Sequence, residues 1–171
     1  MRFKRTVILL SLATTLLGAR AAAPSPLQLG PDGLGGFRIG MALADVNRRL
    51  KQAIVPTAVE LRATANCDYN AVADLPGVAF LFIDDKLARI DVDTPRIAAV
   101  QGIHIGDSAD AVGRKFPRAR REPLDYVEGG FTLVLEQTTG ANALSLQFEG
   151  NRLTHLLAGD KRAIRYAEGC L

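Results

Sequence analysis

Residues 77–92 (GVAFLFIDDKLARIDV) and 142–157 (NALSLQFEGNRLTHLL) each hold two runs of strand-forming residues around a two-residue polar break. Asp84-Asp85 and Gly150-Asn151 are pairs that tolerate positive φ, so each stretch predicts a tight β-hairpin. Turns of that length pair Ile83 with Lys86 and Leu81 with Ala88, and Glu149 with Arg152 and Gln147 with Thr154. Alternation then separates the two faces. In the second hairpin one face carries Ser145, Gln147, Glu149 and Thr154, a surface suited to water. Its counterpart in the first carries Ala79, Leu81, Ile83, Ala88 and Ile90, and an apolar sheet face must be covered. Either the chain covers it, through its C-terminal segment or its other half, or a protein partner does. The partner reading makes Leu81, Ile83 and Ile90 candidate binding residues, with Arg89 and Asp91 at the rim.

Ahead of each hairpin stands Gly-x-x-Ile-Gly, followed by apolar residues at i, i+3 and i+7: Leu43, Val46, Leu50 and Ala109, Val112, Phe116. This spacing predicts a helix with one buried stripe. Ser108 can cap the second helix, whereas Ala42 offers the first no side-chain acceptor. Further strands are expected over 57–64, 124–128 and 130–136. A shift of 66 residues superposes Gly36 on Gly102, Ile39 on Ile105, Gly40 on Gly106, Val46 on Val112, Phe82 on Phe148 and Leu87 on Leu153. Two copies of one unit are therefore expected, 36–98 and 102–164. The expected fold class is α+β, two pseudo-repeats of a helix followed by antiparallel strands, with the helices packed on one face of the sheet.

The first residues belong to a different category. MRFKR is a basic n-region, and the following 13 apolar and small residues, TVILLSLATTLLG, are too few for the roughly 20 that span a bilayer. A secretory signal over 1–21 is expected, with cleavage after Ala21 or after Ala23, then a linker over 24–35 and a single domain over 36–171. Removing the signal takes away Arg2, Lys4, Arg5 and Arg20 and no acid, so the net charge of +3 becomes −1. That balance excludes an electrostatic footprint for nucleic acid. The basic cluster from Arg114 to Arg121 reads as a solvated helix end. Two cysteines, Cys67 and Cys170, in an exported chain predict one disulfide.

Motifs of catalysis are sparse. His104 and His155 correspond under the 66-residue shift to Arg38 and Arg89, which favours a structural over a catalytic role. Ser108 and Ser145 lie in no nucleophile motif, and Gly33-x-Gly35-Gly36 follows no predicted strand, so it is no phosphate loop. Asp84, Asp85, Asp91 and Asp93 are the densest acids, and Asp91 and Asp93 share a strand face. The turn uses the first two, so neither a metal site nor a catalytic pair is expected, and no cofactor is expected.

The phrase Ile39-Gly40-Met41 before a short helix and strands, written twice in an exported chain, resembles the tandem-repeat β-lactamase-inhibitor protein fold. Each copy is also similar to the small lipoprotein of the outer-membrane β-barrel assembly machine. Ala42 stands where that family has Ser or Thr, and Asp107 replaces Met in the second copy. The resemblance implies proteins that work by binding other proteins across a sheet. The expected function is an exported, non-enzymatic protein-binding module, inhibitor-, immunity- or envelope-accessory-like, in the periplasm or outside the cell. Its partner would be another envelope or secreted protein. A structural envelope component, a small-ligand carrier and an enzyme with an unrecognised site are the alternatives. With three Tyr, seven Phe and no Trp, no aromatic-rich binding face is evident along the chain.

Overall fold

A computed structural model of the chain describes residues 27–170 except 125, 138 and 168. The expected signal and the start of the linker lie outside these residues. In chain order the elements are β1 (Gln28–Gly30), β2 (Gly33–Leu34), β3 (Phe37–Arg38), α1 (Leu43–Asn47), β4 (Cys67–Ala71), β5 (Val78–Ile83), β6 (Lys86–Val92), β7 (Ala98–Ala99), α2 (Ala109–Lys115), β8 (Arg120–Pro123), β9 (Phe131–Glu136), β10 (Asn142–Glu149) and β11 (Arg152–Asp160). Short 3-10 turns cover Val59–Leu61, Val100–Gly102 and Ala163–Arg165.

The fold is mostly β, which overturns the α+β expectation of helices layered on a sheet in two helix-strand units. The α-helices have 5 and 7 residues, and each buries one side chain, Val46 or Val112. Their apolar stripes were too short for longer helices. Ala42 makes no side-chain cap, α1 ends at Asn47, and Leu50 packs on the core from beyond the helix. Ser108 does cap α2, accepting from Ala111 N at 3.3 Å, but Phe116-Pro117 stops it after Lys115.

Seven antiparallel strands form the main sheet in the order β4-β5-β6-β11-β10-β9-β8. A smaller sheet, β3-β2-β1-β7, includes one parallel pair, β1 with β7. Part of the expected linker is thus ordered: Leu29 of β1 and Leu34 of β2 are fully buried. The small sheet and both helices share one core with one face of the main sheet, where Phe37 meets Phe80 at 5.1 Å between ring centroids. Side chains such as Phe80, Phe148, Ile90 and Leu146 are fully buried there, each contributing roughly 1.5–3 kcal/mol by burial. The predicted strand over 130–136 is β9, whereas 57–64 contains a 3-10 turn and 126–128 lie in turn and bend.

Both hairpins form with two-residue turns, Asp84 and Asp85 lying at φ 50° and 57° and Gly150 at 56°. Each also carries a bulge the alternation did not reveal. Ile83 pairs with Lys86 as expected, but Leu81 pairs with Arg89; Glu149 pairs with Arg152, but Gln147 pairs with His155. One extra residue on the return strand moves every later side chain to the opposite face. Ile90 therefore faces the core while Leu81 faces the other way.

At the 66-residue spacing, backbone contacts recur where each helix start docks on its hairpin. Gly40 N donates to Leu87 O at 2.7 Å and Gly106 N to Leu153 O at 2.8 Å. Leu87 N returns to Met41 O at 2.8 Å and Leu153 N to Asp107 O at 2.9 Å. The two glycines sit at φ 89° and 100°, which explains why each copy of the phrase has glycine there: a side chain would be strained.

Candidate functional site

The face of the main sheet opposite the core is sealed at one end and open at the other. At the sealed end Tyr69, Leu81 and Arg89 stand in register across β4, β5 and β6. Leu81 is fully buried and Arg89 is 2% exposed. The Arg89 guanidinium grips Asp91 with two bonds, Nε to Oδ1 at 2.7 Å and Nη2 to Oδ2 at 2.9 Å. Its Nη1 donates to Ala163 O at 2.8 Å and Tyr166 O at 3.0 Å, which fastens the C-terminal segment over the sheet. Tyr69 donates its hydroxyl to Asp91 Oδ2 at 2.8 Å, and burial together with the Asp91 carboxylate holds the Tyr69 pKa well above its ordinary value.

A disulfide between Cys67 and Cys170 ties the same segment to β4 across 103 residues of chain. Gly169 lies so close to Tyr69 that a Cβ there would meet the ring at 3.3 Å. Ile164 joins Val134, Ala143 and Leu157 in a small second cluster on this face. The chain thus covers the surface around Leu81 with its own C-terminal segment, the first of the two readings of that face, and not with a partner. Leu81 and Ile90 are both fully buried and on opposite faces, Ile83 is half-buried at the hairpin end, and only Arg89 and Asp91 are brought together.

The open end is a groove of about 830 Å³ over β8 to β11. Its floor holds Thr132, Ser145, Gln147, His155 and Leu157, with Glu122 and Glu149 at its margins. Its walls are the turn carrying Tyr126 and the C-terminal segment carrying Tyr166, while Tyr69 closes the sealed side. All three tyrosines of the chain line this one groove. Positions 69, 126 and 166 show no pattern in sequence, so the aromatic cluster not evident there forms only when the folded chain brings the three together. Tyr126 is 89% exposed and holds a positive φ of 69°, a strained conformation for an aromatic residue.

Charges around the groove largely satisfy one another. Besides the Arg89–Asp91 fork, Arg165 reaches Glu122 and Glu136 at 3.4 Å, and Arg120 pairs with both acids. Hydrogen bonding from Arg120 keeps the Glu136 pKa below its ordinary value. On the floor, Thr132 Oγ1 and Ser145 Oγ are 2.6 Å apart and buried. Gln147 and His155 make no side-chain hydrogen bond to another described residue; the Gln147 backbone is paired in the sheet, and its carbonyl also accepts from Thr154 Oγ1 at 3.2 Å. Of the remaining sequence candidates, His104 is exposed outside the groove, and Asp84 and Asp85 lie at the β5–β6 turn. Among the described residues no three His, Cys, Asp or Glu side chains converge as a metal ion requires. Arg121, from the basic cluster, is exposed and lies over the Phe131 ring at 3.5 Å.

The disulfide fits a protein of a compartment outside the cytoplasm. No described helix is long and apolar enough to cross a membrane. No protein-family model matches this chain, and no curated protein does. Among solved structures, the chain is similar to the crystal structure of the uncharacterized protein yfeY from Escherichia coli. The two share 12% identity at a TM-score of 0.51, over 79% of this chain and 99% of that one, which shows a shared fold.

Proposed function

We propose that this chain is an exported, non-enzymatic binding protein of the periplasm or cell exterior that holds a small ligand in the tyrosine-lined groove. The observation that carries the reading is the convergence of all three tyrosines on a concavity of about 830 Å³. That volume lies within the roughly 300–1,000 Å³ usual for ligand pockets, with aromatic walls and a few placed polar groups. The Arg89 fork and the disulfide hold one wall in place before any ligand arrives, which lowers the entropic cost of binding. A basic and apolar N-terminus and the Cys67–Cys170 bond support the exported location.

A protein partner is the second reading, favoured by a separate surface: Val55, Val59 and Leu61 are 81%, 53% and 79% exposed on the segment before β4. Native mass spectrometry of protein recovered from the periplasm tests the first reading. A small molecule released only on denaturation, and lost in Tyr126→Ala, is the expected result. Recovery of ligand-free protein in stoichiometric complex with another polypeptide, abolished by Leu61→Asp and not by Tyr126→Ala, overturns it.

A further inference from the structure

We infer that the ligand of the proposed groove is an uncharged polyhydroxylated ring compound, a neutral saccharide. This rests on the binding reading above and deepens it. The argument begins with what the groove has already used. Arg89 and Asp91 neutralise each other, and Arg165 is matched by Glu122 and Glu136. A site for an anion keeps an unmatched positive charge aimed at its ligand, and both arginines here are matched; the carboxylate without an ion-pair partner among the described residues, Glu149, is exposed at the margin rather than on the floor.

What remains available in the middle is neutral and bifunctional. Two buried hydroxyls, Thr132 and Ser145, face each other at 2.6 Å, and one such contact consumes one of their two hydrogens. The second O–H has no acceptor among the described residues, and both oxygens keep lone pairs. Gln147, beside Thr132 in register, adds an amide with two donors and an acceptor. His155, paired with Gln147 across the hairpin, adds a ring nitrogen of each kind when neutral. Donors and acceptors thus alternate within one patch, the pattern that complements vicinal hydroxyls, each of which gives and takes a hydrogen bond. A buried hydroxyl left unpaired costs about 1–3 kcal/mol, so the patch favours a ligand that satisfies it over one that is merely apolar.

The walls fit the same class. Tyr126 and Tyr166 flank the floor, and the face of an aromatic ring is electron-rich. The C–H face of a sugar ring is its complement, and weak C–H contacts to such a surface fix orientation. An extended peptide would instead leave its charged or apolar side chains opposite a neutral polar floor.

Intrinsic fluorescence supplies the test, because the chain has no Trp and all three of its tyrosines line the groove. The full exported chain is titrated with the neutral trisaccharides of glucose (α- and β-linked) and of N-acetylglucosamine, with trigalacturonate, and with a capped uncharged pentapeptide. Saturable quenching by at least one neutral trisaccharide is expected. Gln147→Ala should weaken that binding about tenfold, the loss of one hydrogen bond, and Ser145→Ala similarly, while Tyr126→Phe stays within about twofold. Cooperative urea unfolding from a native-like circular-dichroism spectrum confirms that the variants fold. Saturable binding by trigalacturonate or the peptide with none by neutral sugars overturns the ligand class while leaving the binding reading intact. Silence of every probe, with no co-purifying small molecule, overturns both. Neutral-sugar binding that Gln147→Ala and Ser145→Ala leave unchanged also overturns the inference.

Discussion

Hairpins β5–β6 and β10–β11 have the same turn length, a bulge at the same step and the same docking of a helix start, 66 residues apart. Their outward faces nevertheless meet opposite fates. Leu81 and Arg89 lie sealed beneath the C-terminal segment, and their counterparts Gln147 and His155 form the floor of an open groove. One backbone design therefore carries two different surfaces. The first hairpin anchors the C-terminal segment as a strap, and the second leaves a polar floor uncovered. The difference resides in side chains, because an arginine at position 89 can reach two carbonyls of the strap while a histidine at 155 has no such partner among the described residues.

Matched substitutions sharpen that contrast. The largest effect is expected of Leu81→Asp, which places an unpaired charge in a fully buried site. It should cost roughly 3–5 kcal/mol in urea unfolding, whereas Gln147→Asp should stay within about 0.5 kcal/mol. Equal losses at the two positions would erase the distinction between sealed and open faces. Next, Cys170→Ser removes a cross-link between residues 103 apart and should cost about 2–4 kcal/mol. Amide exchange should rise along 163–170 with β10 and β11 still protected; uniform loss of protection would mean that the strap organises the whole sheet.

Arg89→Met comes third. It gives up two bonds to the strap and leaves Asp91 with Tyr69 alone, an expected loss of about 2 kcal/mol, while His155→Met should change the urea midpoint by under about 0.5 kcal/mol. The smallest effect concerns pH. Tyr69 has a folded-state pKa above its unfolded value near 10, so its contribution is complete below pH 10 and is lost as pH rises through the folded value. Urea midpoints should fall above pH 10 in the parent and fall less in Tyr69→Phe. Identical alkaline profiles would remove Tyr69 from the sealed end.

Much of the local structure was legible. Both two-residue turns, the Ser108 cap, the lack of a cap at Ala42 and the disulfide partner of Cys67 follow from residue type and position. The fold class was not. Three apolar residues at helical spacing are consistent with two turns of helix, yet α1 and α2 are held by their ends on the hairpins and bury one side chain each. Leu29 and Leu34 looked like linker because strands of three and two residues are too short to show a period. The candidate face failed for a related reason. A bulge leaves no mark in alternation, so Leu81 and Ile90 were assigned to one surface that the backbone divides into two.

By itself, then, the order of residues determined the turns, the caps, the glycines at the helix starts and the cysteine pair, because each depends on atoms a few bonds apart or on there being just one partner to find. Tertiary structure decided the rest. Which face of the sheet is covered depends on a C-terminal segment returning across the chain to Arg89, and the groove depends on tyrosines at 69, 126 and 166 meeting through strand order. Both are outcomes of long-range packing, where burial of apolar surface and satisfaction of polar groups are settled jointly and no local window of sequence carries the answer.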